Sequence, residues 1–207
     1  MTPLPAGAPG AGRRVVLAST SRYRRMLLER LRLPFVAVAP VMDETPLPGE
    51  SSAATATRLA EGKARSVAPL YPDALVIGSD QVADCRGRPI GKPGTHERAV
   101  AQLSELAGET VVFHTGLAVL DTATGDCQVA LVDVRSTYRL LSGDEIEGYL
   151  RREAPYDCTG SVCSESLGIA LFESIESDDP TALIGLPLIR LTSMLRTFGV
   201  SLLAAAP

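Results

Sequence analysis

The stretch ALVIGSDQVADCRGRPIGKPG, residues 74–94, decides how this chain is read. Its opening, ALVIG (74–78), is a short continuous apolar run, the pattern of a strand buried on both faces. An acid and an amide, Asp80 and Gln81, come next, and Arg86-Gly87 marks a turn. Past that turn Gly91 presents Lys92 ahead of Pro93. Open α/β sheets place ligands outside the carboxyl ends of their strands. Asp80 is therefore expected at a strand tip, with Lys92 carried back beside it. Two readings of the pair stand: a structural ion pair, or a phosphate held by Lys92 with a metal or a water held by Asp80.

Working outward, VVLAS (15–19) reads as a short buried strand that runs into Ser21 and a helix with Met26, Leu27, Leu28 and Leu31 at helical spacing. PFVAVA (34–39) is the next strand, and MDETPLPGESS (42–52) is a loop ending in serine caps for a helix through Lys63 to about Val67. Thr95 caps a helix to about Leu106, stopped by Gly108. TVVFHTGLAVLD (110–121) and a partner at about 128–140 flank ATGD as a hairpin of long strands. Ser142 and Glu145 form a capping-box pattern for a helix to about Arg152. IALFESI (169–175) reads as a strand, and Pro187 to about Phe198 as the last helix. The alternation predicts an α/β fold with a long antiparallel component.

The 207 residues suit one α/β domain, expected over 13–204, or two small halves sharing a cleft. Residues 1–12, rich in Pro, Gly and Ala, read as a floppy leader and not as a secretory signal. With a formal net charge of −4 there is no sign of the basic face that nucleic acid requires. A nucleotide needs only a few converging cations. Four cysteines without a CxxC pair, and two histidines, suggest neither a zinc site nor a disulfide framework, so reduced thiols of a cytoplasmic protein are expected. No apolar run approaches the roughly 18 residues that span a bilayer.

Three further segments carry candidate chemistry. In LASTSRYRR (17–25) a strand ending in small hydroxyl residues at a helix start leaves backbone N–H groups free for an anion, with Arg24 and Arg25 in the first turn. In MDET (42–45) Asp43 and Glu44 offer oxygens to a hard cation. In RLAEGKA (58–64) Lys63 follows on a helix. Taken singly, each has an ordinary explanation: a capped helix, an acidic loop, a solvated lysine.

Taken together, LASTSRYRRMLL, MDET, RLAEGKA, IGSDQV, GKPG and GLPLI (185–189) resemble, in order and spacing, the Maf family of nucleotide pyrophosphatases from Val15 to about Val200. The resemblance implies a bent mixed β-sheet flanked by helices around a deep cleft, a fold shared with inosine-triphosphate pyrophosphatases. It implies a homodimeric enzyme, dependent on Mg2+ or Mn2+, that cleaves a nucleoside triphosphate between its α and β phosphates. Asp80 matches the catalytic carboxylate, as general base or metal ligand. Arg24, Lys63 and Lys92, with Ser19, match the phosphate-binding positions, and Glu44 matches a cleft carboxylate that shares the metal with Asp80. Tyr23, Gln81 and Glu165 match specificity positions.

Within the family, Gln81 after the acid, FHTGLAVL (113–120), DCTGSVCSESLGIALFE (157–173) and DDPTALIGLPLI (178–189) resemble the branch acting on 7-methyl-GTP. The dTTP/UTP branch usually has threonine after the acid and arginine where this chain has Tyr23. A methylated guanine is cationic and stacks well on an aromatic face such as Tyr23, while Glu165 can accept from its N1–H and N2–H edge. One departure stands out: GSVCSES (160–166) replaces the common GSFKSEG, so Cys163 takes the place of a lysine. That loss favours a rival reading, a nucleotide-binding regulatory protein with little turnover. A redox role for Cys158 and Cys163 has weak sequence support, since neither has a basic neighbour to lower its pKa.

Overall fold

The computed structural model describes residues 13–203, so the leader expected over 1–12 lies outside the described residues. Elements in chain order are β1 (Arg14–Ala18), α1 (Arg22–Glu29), β2 (Phe35–Val38), α2 (Ser52–Val67), β3 (Ala74–Cys85) and β4 (Arg88–Ile90). They continue with α3 (His96–Leu106), β5 (Thr110–Asp121), β6 (Cys127–Tyr138), α4 (Gly143–Glu153), β7 (Phe172–Glu176) and α5 (Leu188–Thr197). The helix starts follow their caps. Ser21, Ser51 and Thr95 accept from the backbone N–H three residues on, and Ser142 and Glu145 complete a reciprocal capping box.

The seven-stranded sheet has the order β2-β1-β3-β5-β6-β7, with β4 paired to β3. β1 is parallel to β2 and β3, and the remaining pairs are antiparallel, so the sheet is mixed. Its pairing along β3 creates the cleft. On one side β5 pairs with β3 from Leu75 to Asp84 without interruption. On the other, β1 pairs only as far as Gly78, and β4 begins only at Ala83. Ser79–Val82 therefore have a strand partner on one edge alone.

Asp80 thus lies in mid-strand, not at a strand tip as the sequence suggested. The β5 ladder continues past the apolar run because backbone hydrogen bonds, unlike side-chain burial, are indifferent to the change from ALVIG to SDQV. The side chains of β3 alternate across the sheet. Leu75 and Ile77 belong to a core with α1 and α5, and Ala83 and Cys85 to a second core with α3 and α4. Between the two, on that same face, fall Ser79 and Gln81. Asp80 faces the other way, toward α2.

Helix α2 lies unusually close to the sheet. A Cβ on Gly78 would stand 2.1 Å from the Ala60 carbonyl oxygen, and one on Gly116 would stand 2.2 Å from that of Ala56. Asp80 is the cross-strand partner of Gly116. Two strand glycines and the alanines at 56, 60 and 64 therefore bring helix backbone against sheet backbone, as glycine in a strand permits.

Two other expectations are corrected. Residues 167–171 form a 3₁₀ turn, and the strand predicted at 169–175 begins at Phe172 and runs to Glu176. Cys158 and Cys163, expected as reduced thiols, are joined in a disulfide, while Cys85 and Cys127 are free. The spacing resembles no common pairing motif. It closes because Gly160 and Ser161 adopt consecutive left-handed conformations, φ 68° and 56°, and fold the segment back on itself.

Gly78→Ala should lose about 2–3 kcal/mol of stability in urea unfolding, because the backbone atoms it meets cannot move aside as a side chain could.

Candidate active site

A cleft of about 380 Å³ opens where β3 lacks its second partner. It is lined by Ser19, Tyr23, Arg24, Glu44, Lys63, Asp80, Gln81, Lys92 and Glu165. The positions that the family resemblance supplied, from Ser19 to Glu165, thus border one hollow, whereas Arg25 and Asp43 are exposed and do not line it.

The centre is an ion-pair cluster. The Lys63 ammonium donates to Asp80 Oδ1 at 2.6 Å and to Glu44 Oε2 at 3.0 Å. Lys63 and Asp80 are only 6% and 8% exposed, so each would be an isolated buried charge without the other. Lys63 stands one residue from Ala64, where α2 touches Gly78, which explains how a lysine on a helix reaches a carboxylate on the sheet. The sequence pairs Asp80 with Lys92; the structure pairs it with Lys63. Lys92 is exposed in the cleft lining, on a loop tied down through Gly91, whose carbonyl accepts from Gln102 and Gly160.

Glu44 is exposed, and its loop is anchored from behind. Arg58 on α2 donates to Glu50 from two nitrogens, each at 2.7 Å, and to the Thr45 carbonyl at 3.1 Å. Glu50 also accepts from Leu47 N and the Thr55 hydroxyl. The Arg58 guanidinium, helped by those donors, holds the Glu50 carboxyl down at about 2.

Arg24 reaches the cleft from α1 and donates through Nε to the Gly185 carbonyl at 2.8 Å, leaving its terminal nitrogens toward the hollow without an ion-pair partner among the described residues. Burial pulls its pKa below the ordinary guanidinium value, against the opposing pull of Asp80 and Glu44. Ser19 is buried at the end of β1, where its hydroxyl accepts from Ser21 N.

The other wall is built for a different purpose. Gln81 Nε2 donates to the Ala182 and Leu183 carbonyls at 2.9 and 3.1 Å and to the Thr115 hydroxyl at 3.0 Å. Thr115 spends its own proton on the Ala182 carbonyl, so it must accept from Gln81. That fixes the amide orientation, and Oε1 is the Gln81 atom left for a ligand. Tyr23 accepts at its hydroxyl from Arg22 at 2.5 Å, and the Arg22 guanidinium carbon lies 4.6 Å from the Tyr23 ring centroid. One face of that ring is therefore covered. Glu165 is exposed at the rim.

Sequence reading missed Arg22, Thr115, Arg58 and Glu50. Arg58 and Glu50 stand eight residues apart across a loop and a helix start, and Thr115 meets Gln81 only through strand pairing. No local pattern marks any of them.

An open-edged sheet with an acid and several cations gathered around its gap defines an α/β protein equipped to hold a polyanion. The chain belongs to the Maf family: the Maf-like protein family profile matches residues 14–198. A relative from Polaromonas sp. (strain JS666), named 7-methyl-GTP pyrophosphatase, is 60% identical over 192 residues, covering 93% of this chain and 88% of its own. Proteins of the same name from Cupriavidus metallidurans and Burkholderia thailandensis are 56% and 57% identical, over 89% and 93% of this chain and 93% and 91% of theirs. A solved nucleoside-triphosphatase / dITP/XTP pyrophosphatase from Mycobacterium abscessus aligns over 62% of this chain and 75% of its own, at a TM-score of 0.38 and 15% identity, a likeness too slight to carry any argument. Among the described residues no helix is long and apolar enough to cross a membrane.

Two outcomes test this geometry. Gln81→Glu sets a carboxylate against two carbonyls and a committed hydroxyl, and should cost about 2 kcal/mol in urea unfolding. Glu50 is depressed in the folded state, so its anchoring of the Glu44 loop is complete above the ordinary carboxylate value and is lost as pH falls through about 2. Exchange of the Leu47 amide, followed by NMR, should accelerate relative to its intrinsic rate between about pH 4.5 and about 2. Arg58→Met should move that onset upward.

Proposed function

We propose that this chain hydrolyses the anhydride between the α and β phosphates of 7-methyl-GTP, releasing 7-methyl-GMP and diphosphate. The observation that carries this reading is the buried Asp80 on the open strand edge, held by Lys63 and bordered by Arg24 and Lys92 in one cleft. The names of relatives more than half identical to this chain support the same chemistry and the same substrate.

Phosphoryl chemistry needs charge neutralised and groups held in line more than it needs covalent help. Arg24 and Lys92 take the phosphate oxygens, and Ser19 adds its hydroxyl at the end of β1. Asp80 Oδ1 is held by Lys63, so Oδ2 is the oxygen placed to accept the proton of the attacking water.

The donors present fit a hard cation. Glu44 and Asp80 each lie within hydrogen-bond reach of the Lys63 ammonium, so two carboxylates face one part of the cleft. That is the donor set of an ion that keeps waters and borrows substrate oxygens. Held by Glu44 and Asp80 beside the Lys63 ammonium, Mg2+ or Mn2+ would supply neutralising charge to the polyphosphate.

Base selection falls to the other wall. Gln81 can only accept, and Glu165 can only accept, so together they read a donor-rich edge such as guanine N1–H and N2–H. The uncovered face of Tyr23 takes the methylated ring, whose positive charge the electron-rich face favours.

Asp80→Asn should lower kcat about a thousand-fold, as for loss of a general base, and undiminished turnover would remove Asp80 from the reaction. In parallel, 7-methyl-GTP, GTP, UTP and dTTP at equal concentration should rank with 7-methyl-GTP first by diphosphate release. A pyrimidine preference would overturn the base assignment while sparing the reaction class.

A further inference from the structure

The wall that carries Glu165 also carries the chain's departure from its family's pattern, and the departure supplies a chemistry that none of the steps above uses. We propose that Cys158 and Cys163 are a redox-responsive pair in the wall of the nucleotide cleft, and that closing their disulfide tightens nucleotide binding. The effect on binding rests on the function proposed above; the pair itself does not.

The two residues have Cα atoms 6.2 Å apart, within the span a disulfide bridges without moving the backbone. Cys158 lines the cleft and Cys163 stands directly behind it. Their residues are 8% and 7% exposed, so the cleft is the route by which a small reagent reaches them. The Tyr23 hydroxyl touches both sulfurs, at 3.6 and 3.7 Å, and Glu165 follows Cys163 by two residues. The bridge therefore sits between two groups that face the base.

Neighbouring contacts make the segment sensitive to this one bond. Gly160 and Ser161 hold left-handed conformations, which for Ser161 is strained, and Ser161 is tied to Gln102 at 2.5 Å. Cys163 N donates to the Tyr149 hydroxyl at 3.3 Å. Reduced sulfurs need van der Waals separation where bonded ones do not, so opening the bridge moves at least one sulfur and with it a contact of the Tyr23 hydroxyl.

The step balances with a hydroperoxide as oxidant. One thiolate attacks the peroxide oxygen, expelling hydroxide and becoming a sulfenic acid. The second thiolate displaces hydroxide from that sulfur. With hydrogen peroxide, two thiols and one peroxide give one disulfide and two waters, and a dithiol reductant reverses the change. Cys85 and Cys127 serve as internal controls, since both are free thiols with no disulfide partner.

Full-length protein treated with hydrogen peroxide or with dithiothreitol should be compared by iodoacetamide trapping with peptide mass analysis, and by KM and kcat for 7-methyl-GTP. Peroxide should yield a Cys158–Cys163 cross-linked peptide and leave Cys85 and Cys127 alkylatable. Freezing one loop and one rotamer before binding should make KM roughly three- to ten-fold lower in the oxidised form, with kcat unchanged. Cys163→Ser and Cys158→Ala should each show one KM whatever the treatment. Absence of the cross-link would overturn the pair. A cross-link with equal KM in both forms, or a KM shift that persists in both variants, would overturn its hold on the cleft. If neither form turned over any nucleotide while the cross-link formed, the function proposed above would fail and the redox pair would stand.

Discussion

Everything in this molecule that concerns chemistry depends on a strand paired along one edge only. Over Ser79–Val82, β3 keeps its β5 ladder but has lost β1 and not yet met β4. An unpaired edge in a sheet is ordinarily a liability, open to association with any other strand. Here it lies inside a cleft, and the side chains alternating along it serve both faces. Asp80 reaches the α2 side and Gln81 the α5 side, so two adjacent residues present an acid and an amide to one cleft. The two apolar cores that flank the gap keep it from collapsing.

The charges of the cleft are arranged to compensate one another. Burying Lys63 or Asp80 alone would be costly, and together with Glu44 they form a cluster in which each charge has a partner. Arg24 is the exception. Desolvation works against its charge, and only Asp80 and Glu44 support it. A polyanion entering the cleft would relieve that imbalance. This is the reason an anion, and not a neutral ligand, is the natural occupant.

The part of the cleft that carries Gln81 is held by hydrogen bonding. Gln81 is locked through three acceptors, Tyr23 is covered on one face by Arg22, and the segment behind it is closed by Cys158 and Cys163. Position 163, where the family resemblance led one to expect a lysine, carries a cysteine bonded to Cys158. Lys63, Lys92 and Arg24 line the same cleft.

The sequence alone determined the elements and the cast of the site. Caps at Ser21, Ser51, Thr95 and Ser142, the apolar run at 74–78 and the long hairpin were legible because they depend on residues near in sequence. The six motifs, with Glu165 from the 157–173 segment, named charged and polar residues that line the cleft. Tertiary structure decided the partnerships: Asp80 with Lys63 and not Lys92, Gln81 with Thr115 and two carbonyls, Cys158 with Cys163. These depend on strand register, on where β1 ends and β4 begins, and on how closely Gly78 and Gly116 admit α2. Such distances are set by packing among segments scores of residues apart, and no local pattern encodes them.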